Sequence, residues 1–201
     1  MLKELDKNSI LLLGEPETGK EYLAKELTKG DLIYVGIDKS PKEVRDIFKP
    51  KFIVDCYTER LGVKSSEKYH ISYAYDLDEI IRNIFMAREE TGKDTTVIID
   101  SLSPLIVTLG LVPVYRFLQR LFAIGREKNT RIILLLHKGM HKDEAEVSIR
   151  HLVDASLFLE RGIEMGEETF YVDFGKLYSG KHKRIKYHID KDKIIFDRFT
   201  I

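Results

Sequence analysis

The sequence has 201 residues, of which 43% are hydrophobic, 33% charged and 10% aromatic, and its 33 Lys and Arg balance its 33 Asp and Glu. A compact chain of this length buries roughly 70% of its extended-chain surface, so it needs neither disulfides nor metal to hold a core. The charge balance excludes a strongly basic nucleic-acid binder and an acidic disordered tail, and leaves room for a local basic patch.

Cys56 is the only cysteine. An intrachain disulfide framework and a multi-cysteine zinc site are therefore excluded, and a cytoplasmic location is expected. No window approaches the ~18 apolar residues of a membrane span. The early apolar run at 10–13 is too short for the core of a signal peptide. Gln119 is the only glutamine, and Lys, Glu and Ile are abundant, a bias that fits a thermophilic source.

In chain order, residues 9–13 read as a buried strand and 20–27 as a helix, with a glycine-bounded turn between them. Residues 31–37 form a second strand, rich in β-branched and aromatic residues. Ser40 as N-cap and Pro41 at the first helical position introduce a helix over 42–48. Residues 52–55 form a third short strand. The clearest helix is 76–90, where Leu77, Ile80, Ile81, Ile84 and Phe85 share one face and Gly92 closes the element. A strand at 96–99 ends in Asp100, a helix follows at 114–124, and another apolar strand occupies 131–136. Residues 138–146 read as a loop.

Continuous apolar strands separated by helices predict an α/β fold with a central, mostly parallel sheet flanked by helices. The character changes near residue 155. Strands at 155–159, 168–174, 184–189 and 193–199 follow one another without helices, which predicts a C-terminal antiparallel β-hairpin extension. With no internal repeat or linker, residues 1–201 are read as a single domain.

The first strand runs into Gly14, Glu15, Pro16, Glu17, Thr18, Gly19, Lys20 and Glu21. This is the G-x-x-x-x-G-K spacing of a phosphate-binding loop, in which glycines let backbone N–H groups curl around phosphate oxygens and the lysine reaches the β- and γ-phosphates. Its last position departs from the pattern. Ser or Thr would hold Mg²⁺ there by a hydroxyl, whereas Glu21 offers a carboxylate, itself an ordinary Mg²⁺ ligand. The structural alternative is a plain strand–helix turn, with Glu21 favourable beside the helix start. Asp100 ends an apolar strand, the place from which an acid orients Mg²⁺ beside such a loop.

These motifs, in this order, resemble the RecA superfamily, and its KaiC-like branch most closely, over about residues 10–199. The resemblance implies a RecA-like P-loop NTPase fold with ATP and Mg²⁺ as cofactors. The phosphate loop is similar to 14–20, and the strand bearing two catalytic acids is similar to 37–41. Only Asp38 matches that acid pair, as the base that polarises the attacking water, and Lys39 stands in for its neighbour. The magnesium strand resembles 97–103, with Asp100, joined by Glu21, as metal ligands. His137 falls where the family has a polar sensor. A late Lys-Leu-Arg-Gly-x-x-His segment is similar to 176–182. It implies that Lys176 reaches a neighbouring subunit's nucleotide, with Tyr178 where the arginine finger is expected.

Several parts of one hydrolytic machine thus depart together. The expectation is an ATP-binding domain with weak or absent hydrolysis and a regulatory or assembly role. Its partners would be nucleotide and a homo-oligomer or another protein, and no membrane. Two other readings stay open: a nucleotide-free interaction scaffold, and a nucleic-acid-associated RecA paralogue using Lys181, Lys183, Arg184, Lys186, Lys191 and Lys193. For that cluster the bland alternative is a solvated, charge-protected edge hairpin.

Overall fold

The computed structural model describes residues 5, 8–73, 75–176 and 184–197. The first half of the chain alternates strand and helix: β1 (Ser9–Gly14), α1 (Lys20–Glu26), β2 (Asp31–Gly36), α2 (Pro41–Ile47), β3 (Phe52–Asp55), β4 (Tyr69–His70), α3 (Leu77–Glu89) and β5 (Thr95–Asp100). Then come α4 (Leu102–Leu109), α5 (Leu111–Glu127), β6 (Thr130–His137), α6 (Asp143–Leu152), β7 (Ala155–Glu164), β8 (Glu167–Lys176), β9 (Arg184–Asp190) and β10 (Lys193–Phe196).

All ten strands join one sheet in the order β10-β9-β8-β7-β1-β6-β5-β2-β3-β4. From β7 to β4 every pairing is parallel, and from β7 to β10 every pairing is antiparallel. The expected α/β architecture, with a flanked, mostly parallel sheet and a C-terminal antiparallel extension, is what the chain adopts.

Alternation along each strand splits the core in two. Leu11 and Leu13 of β1 point to the face covered by α3, α4, α5 and α6. Ile10 and Leu12 point to the opposite face, where Leu23 and Ala24 of α1 and Val44 beside them meet Val172, Ile185, Tyr187 and Ile194 of the terminal strands. The extension therefore curls back over α1, and Ile194 N donates to Glu26 Oε1 at 3.0 Å.

The two antiparallel turns among the described residues each have two central residues at positive φ: Met165 and Gly166 (52° and 85°), and Lys191 and Asp192 (45° and 65°). That is the turn geometry matching strand twist in two-residue hairpins. The pairs Glu164–Glu167 and Asp190–Lys193 close them.

The structure revises several boundaries. Residues 138–146, expected as loop, contain the start of α6, whose buried side chains are Ala145 and Ile149. α4 was hidden because its Leu102–Leu109 stretch is apolar nearly throughout, includes Pro104 and offers no period. β7 continues past 159 because its outer half is paired with β8 although Ile163 is solvent-exposed. β10 ends at Phe196, and 198–199 of the expected strand lie outside the described residues.

Candidate functional site

The carboxyl ends of β1, β2, β5 and β6 meet along one edge. In register, Gly14 lies opposite His137, and Gly36 lies opposite Asp100. Ligand sites in open α/β sheets occur at this edge. Ile37 N donates to Asp100 O at 2.9 Å, which ties the segment carrying Asp38 and Lys39 to the end of β5.

The glycine loop is shaped by its own contacts. A Cβ on Gly14 would lie 2.7 Å from Leu159 O and 2.9 Å from Thr18 Oγ1, so only glycine fits there. Gly19 has φ 77°, in the left-handed region, and faces Ile189 of β9. Thr18 Oγ1 donates to Glu15 O at 2.8 Å, and Tyr187 OH of β9 donates to Thr18 O at 2.5 Å. Arg161 reaches across from β7 to Pro16 O and Glu17 Oε2, both at 3.2 Å, and the Glu17 carboxylate is otherwise open to solvent.

Lys20 opens α1 with its side chain folded under the loop. Its Nζ donates to Gly14 O at 3.0 Å and to Glu15 O at 2.5 Å, and the residue is only 1% exposed. Burial lowers its pKa from the ordinary lysine value, against the opposing pull of Glu21 and Asp100.

The acids form a second cluster beside it. Lys39 Nζ lies 2.6 Å from Asp100 Oδ2 and 3.3 Å from Glu21 Oε1. Tyr34 OH, buried in β2, donates to the same Asp100 oxygen. Burial alone would lower the Lys39 ammonium, but the Asp100 and Glu21 carboxylates outweigh it and hold its pKa above the ordinary value. Burial alone would raise Glu21, and Lys39 with its backbone and Lys20 outweighs that and holds it low. Burial, with Asp100 beside it, pushes the Tyr34 phenol far up.

Asp38 Oδ2 accepts from Ser101 Oγ at 3.3 Å, and Arg60 NH1 stands 3.9 Å from Asp38 Oδ1. Burial holds the Asp38 carboxyl above its usual range, with the Ser101 hydroxyl opposing and Asp100 adding to it. His137 N donates to Ser103 Oγ at 2.9 Å, while its buried Nδ1 has no hydrogen-bond partner. Burial, reinforced by the Lys20 ammonium, lowers its pKa and favours the neutral ring. His141 Nε2 shares Ser103 Oγ at 3.0 Å.

Of the residues singled out in the sequence, the loop 14–21, Asp38, Asp100 and His137 converge on this edge. The backbone of Lys176 lies away from this edge. It pairs with Ser156, three residues before the Leu159 that faces Gly14, which sets it roughly 10 Å further down the sheet. Residues 177–183, with Tyr178, Lys181 and Lys183, lie outside the described residues. Arg184 is ion-paired with Glu160 and Asp173, and Lys186 with Glu164. Sequence reasoning missed Tyr34 and the part played by Lys39. Its only signal was a basic residue where a second acid was expected.

Among solved structures, the chain is similar to a KaiC-like protein from the hyperthermophilic archaeon Pyrococcus horikoshii, with a TM-score of 0.69 and 17% identity, covering 94% of this chain and 89% of that one. The fold is of the RecA-like, KaiC type. No protein-family model and no curated protein matches the sequence. No helix among the described residues is long and apolar enough to cross a membrane.

The groups present do not fit Mg²⁺ in this arrangement. The ion demands close oxygen ligands in near-octahedral geometry. The two carboxylates expected to hold it, Glu21 and Asp100, hold the Lys39 ammonium instead. A dication roughly 4 Å from that ammonium would meet about 8 kcal/mol of repulsion at an effective dielectric of ~20.

Proposed function

We propose that residues 1–201 form one RecA/KaiC-like domain that binds ATP at the loop 14–21, hydrolyses it weakly or not at all, and uses binding to regulate or assemble a protein complex. The buried Lys20 ammonium carries this reading. It has three N–H donors, two of which go to the loop carbonyls of Gly14 and Glu15, and the third is left for a phosphate oxygen. His137, whose Nδ1 is buried without a partner and which feels the Lys20 charge, is a second polar group awaiting a ligand.

Weak hydrolysis is supported by the acids. Phosphoryl transfer depends on cations that bridge and neutralise the phosphates and on a base that positions the attacking water. Here Asp38 is the sole candidate base, hydrogen-bonded to Ser101 and facing Arg60, and its neighbour is a lysine committed to Asp100.

Calorimetric titration with a non-hydrolysable ATP analogue tests the reading. Saturable binding that disappears in Lys20→Ala is expected, with little phosphate release when ATP itself is supplied. Absence of binding at millimolar analogue would overturn it. The scaffold reading would then stand, favoured by a loop and an acid cluster that already satisfy one another through Lys20 and Lys39.

A further inference from the structure

The disagreement between the acid cluster and Mg²⁺ has a specific form. Asp100 comes from the end of β5, Glu21 from the first turn of α1, and Lys39 from the segment between β2 and α2. The three elements are far apart in sequence, and the Lys39 ammonium is the point at which they join.

Lys39 is delivered there by rigid backbone. Ser40 caps α2 in a reciprocal capping box, its Oγ accepting from Glu43 N at 3.4 Å while Ser40 N donates to Glu43 Oε2 at 2.8 Å, and Pro41 starts the helix. On its other side, Ile37 is tied to the backbone of Asp100. The side chain is three-quarters buried, unlike a solvated surface lysine. The residue that follows the loop lysine, where a hydroxyl would hold the metal, is Glu21, and its carboxylate turns to Lys39.

We propose that the Lys39 ammonium takes the place of the divalent cation in this loop site, so that the site excludes metal and binds nucleotide phosphates without it. The Lys39 ammonium is ion-paired with both Glu21 and Asp100, so each of these carboxylates has a cation before any metal arrives. An ammonium carries three donors. Lys39 gives one to Asp100 and one to Glu21, which leaves one for a terminal phosphate oxygen. The ligand class that follows is a metal-free nucleoside polyphosphate. Binding of that ligand rests on the function proposed above, whereas exclusion of the metal does not.

Two titrations test the proposal on the full chain. In the first, Mn²⁺ is added without nucleotide and free Mn²⁺ is read by electron paramagnetic resonance. The wild-type protein is expected to show no saturable site. Lys39→Ala should gain one, which Mg²⁺ competes for and which Asp100→Asn in the same background removes. A wild-type Mn²⁺ site lost in Asp100→Asn would overturn the proposal, as would a folded Lys39→Ala protein that gains none.

In the second, the ATP analogue is titrated in chelator and in Mg²⁺. Wild-type affinities should agree within about twofold, and Lys39→Ala should lose about tenfold or more on chelation. A wild-type affinity that collapses in chelator would overturn the proposal. Should Lys39→Ala not fold, the wild-type Mn²⁺ titration decides alone. If no nucleotide binds in either buffer, the function proposed above fails, and the Mn²⁺ titration still decides whether Lys39 holds the cation position.

Discussion

Lys39 Nζ lies 2.6 Å from Asp100 Oδ2, across 61 residues of chain, and this contact organises the polar edge of the sheet. Asp100 is buried, and its other donor to that oxygen is the phenol of Tyr34. An ion pair of this kind is strongly destabilising to break from one side, because the remaining charge is left buried and unpaired.

Lys39→Met should therefore cost about 3 kcal/mol of unfolding free energy. Adding Asp100→Asn to that variant should recover a large part of the loss, since the orphaned charge goes with it. Urea denaturation of the four proteins in the cycle measures both effects. Additive losses would show that the pair is not coupled.

The same cluster sets a pH dependence with a definite sign. The Glu21 carboxyl is held below its ordinary 4.5, so its contribution is full above that pH and is lost as pH falls through the lower folded value. The Lys39 ammonium is held above its ordinary 10.5, so its contribution is full below that pH and is lost as pH rises through the higher folded value. Between the two, stability from this pair should be flat. Lys39→Met should be less sensitive to acid than the wild type when stability is followed from pH 5 downwards.

Gly14→Ala should destabilise the chain by about 1–3 kcal/mol, the cost of forcing extra atoms into packed space. The obstacle is the Leu159 carbonyl at 2.7 Å, which is backbone and cannot swing away. Thermal melts of the variant check this, and an unchanged midpoint would show that the loop has room the structure does not give it.

Tyr187→Phe should cost about 1–3 kcal/mol by leaving the Thr18 carbonyl without its donor. Because that bond links β9 to the loop, amide exchange at Thr18 and Gly19 should quicken in the variant while exchange in β5 stays protected. Uniform quickening would point to global loosening instead.

Much of the fold was legible because its strands are apolar runs of the right length and its loop carries a distinctive spacing. Asp100 and Gly14 could be placed at strand ends from sequence because each directly terminates a hydrophobic run. The role of Lys39 could not. Its partners stand 18 and 61 residues away, and no local pattern encodes a contact between β5, α1 and the β2–α2 segment. Tyr34 was hidden for a related reason. An aromatic inside an apolar strand reads as core, and its hydroxyl partner becomes visible only when β2 and β5 are in register. α6 escaped because its few apolar residues, though they share a face, sit among Asp143, Glu144, Glu146 and Arg150.

The most direct test of the central claim, that Lys20 makes the loop a nucleotide site, is thermal unfolding of wild type and Lys20→Ala with and without ATP analogue. A ligand that binds only the folded chain stabilises it by about 2.7 kcal/mol at a hundredfold excess over Kd. A midpoint that rises with analogue in the wild type and stays fixed in Lys20→Ala is the expected result. A wild-type midpoint that does not move at saturating analogue, or one that moves equally in both proteins, would contradict it.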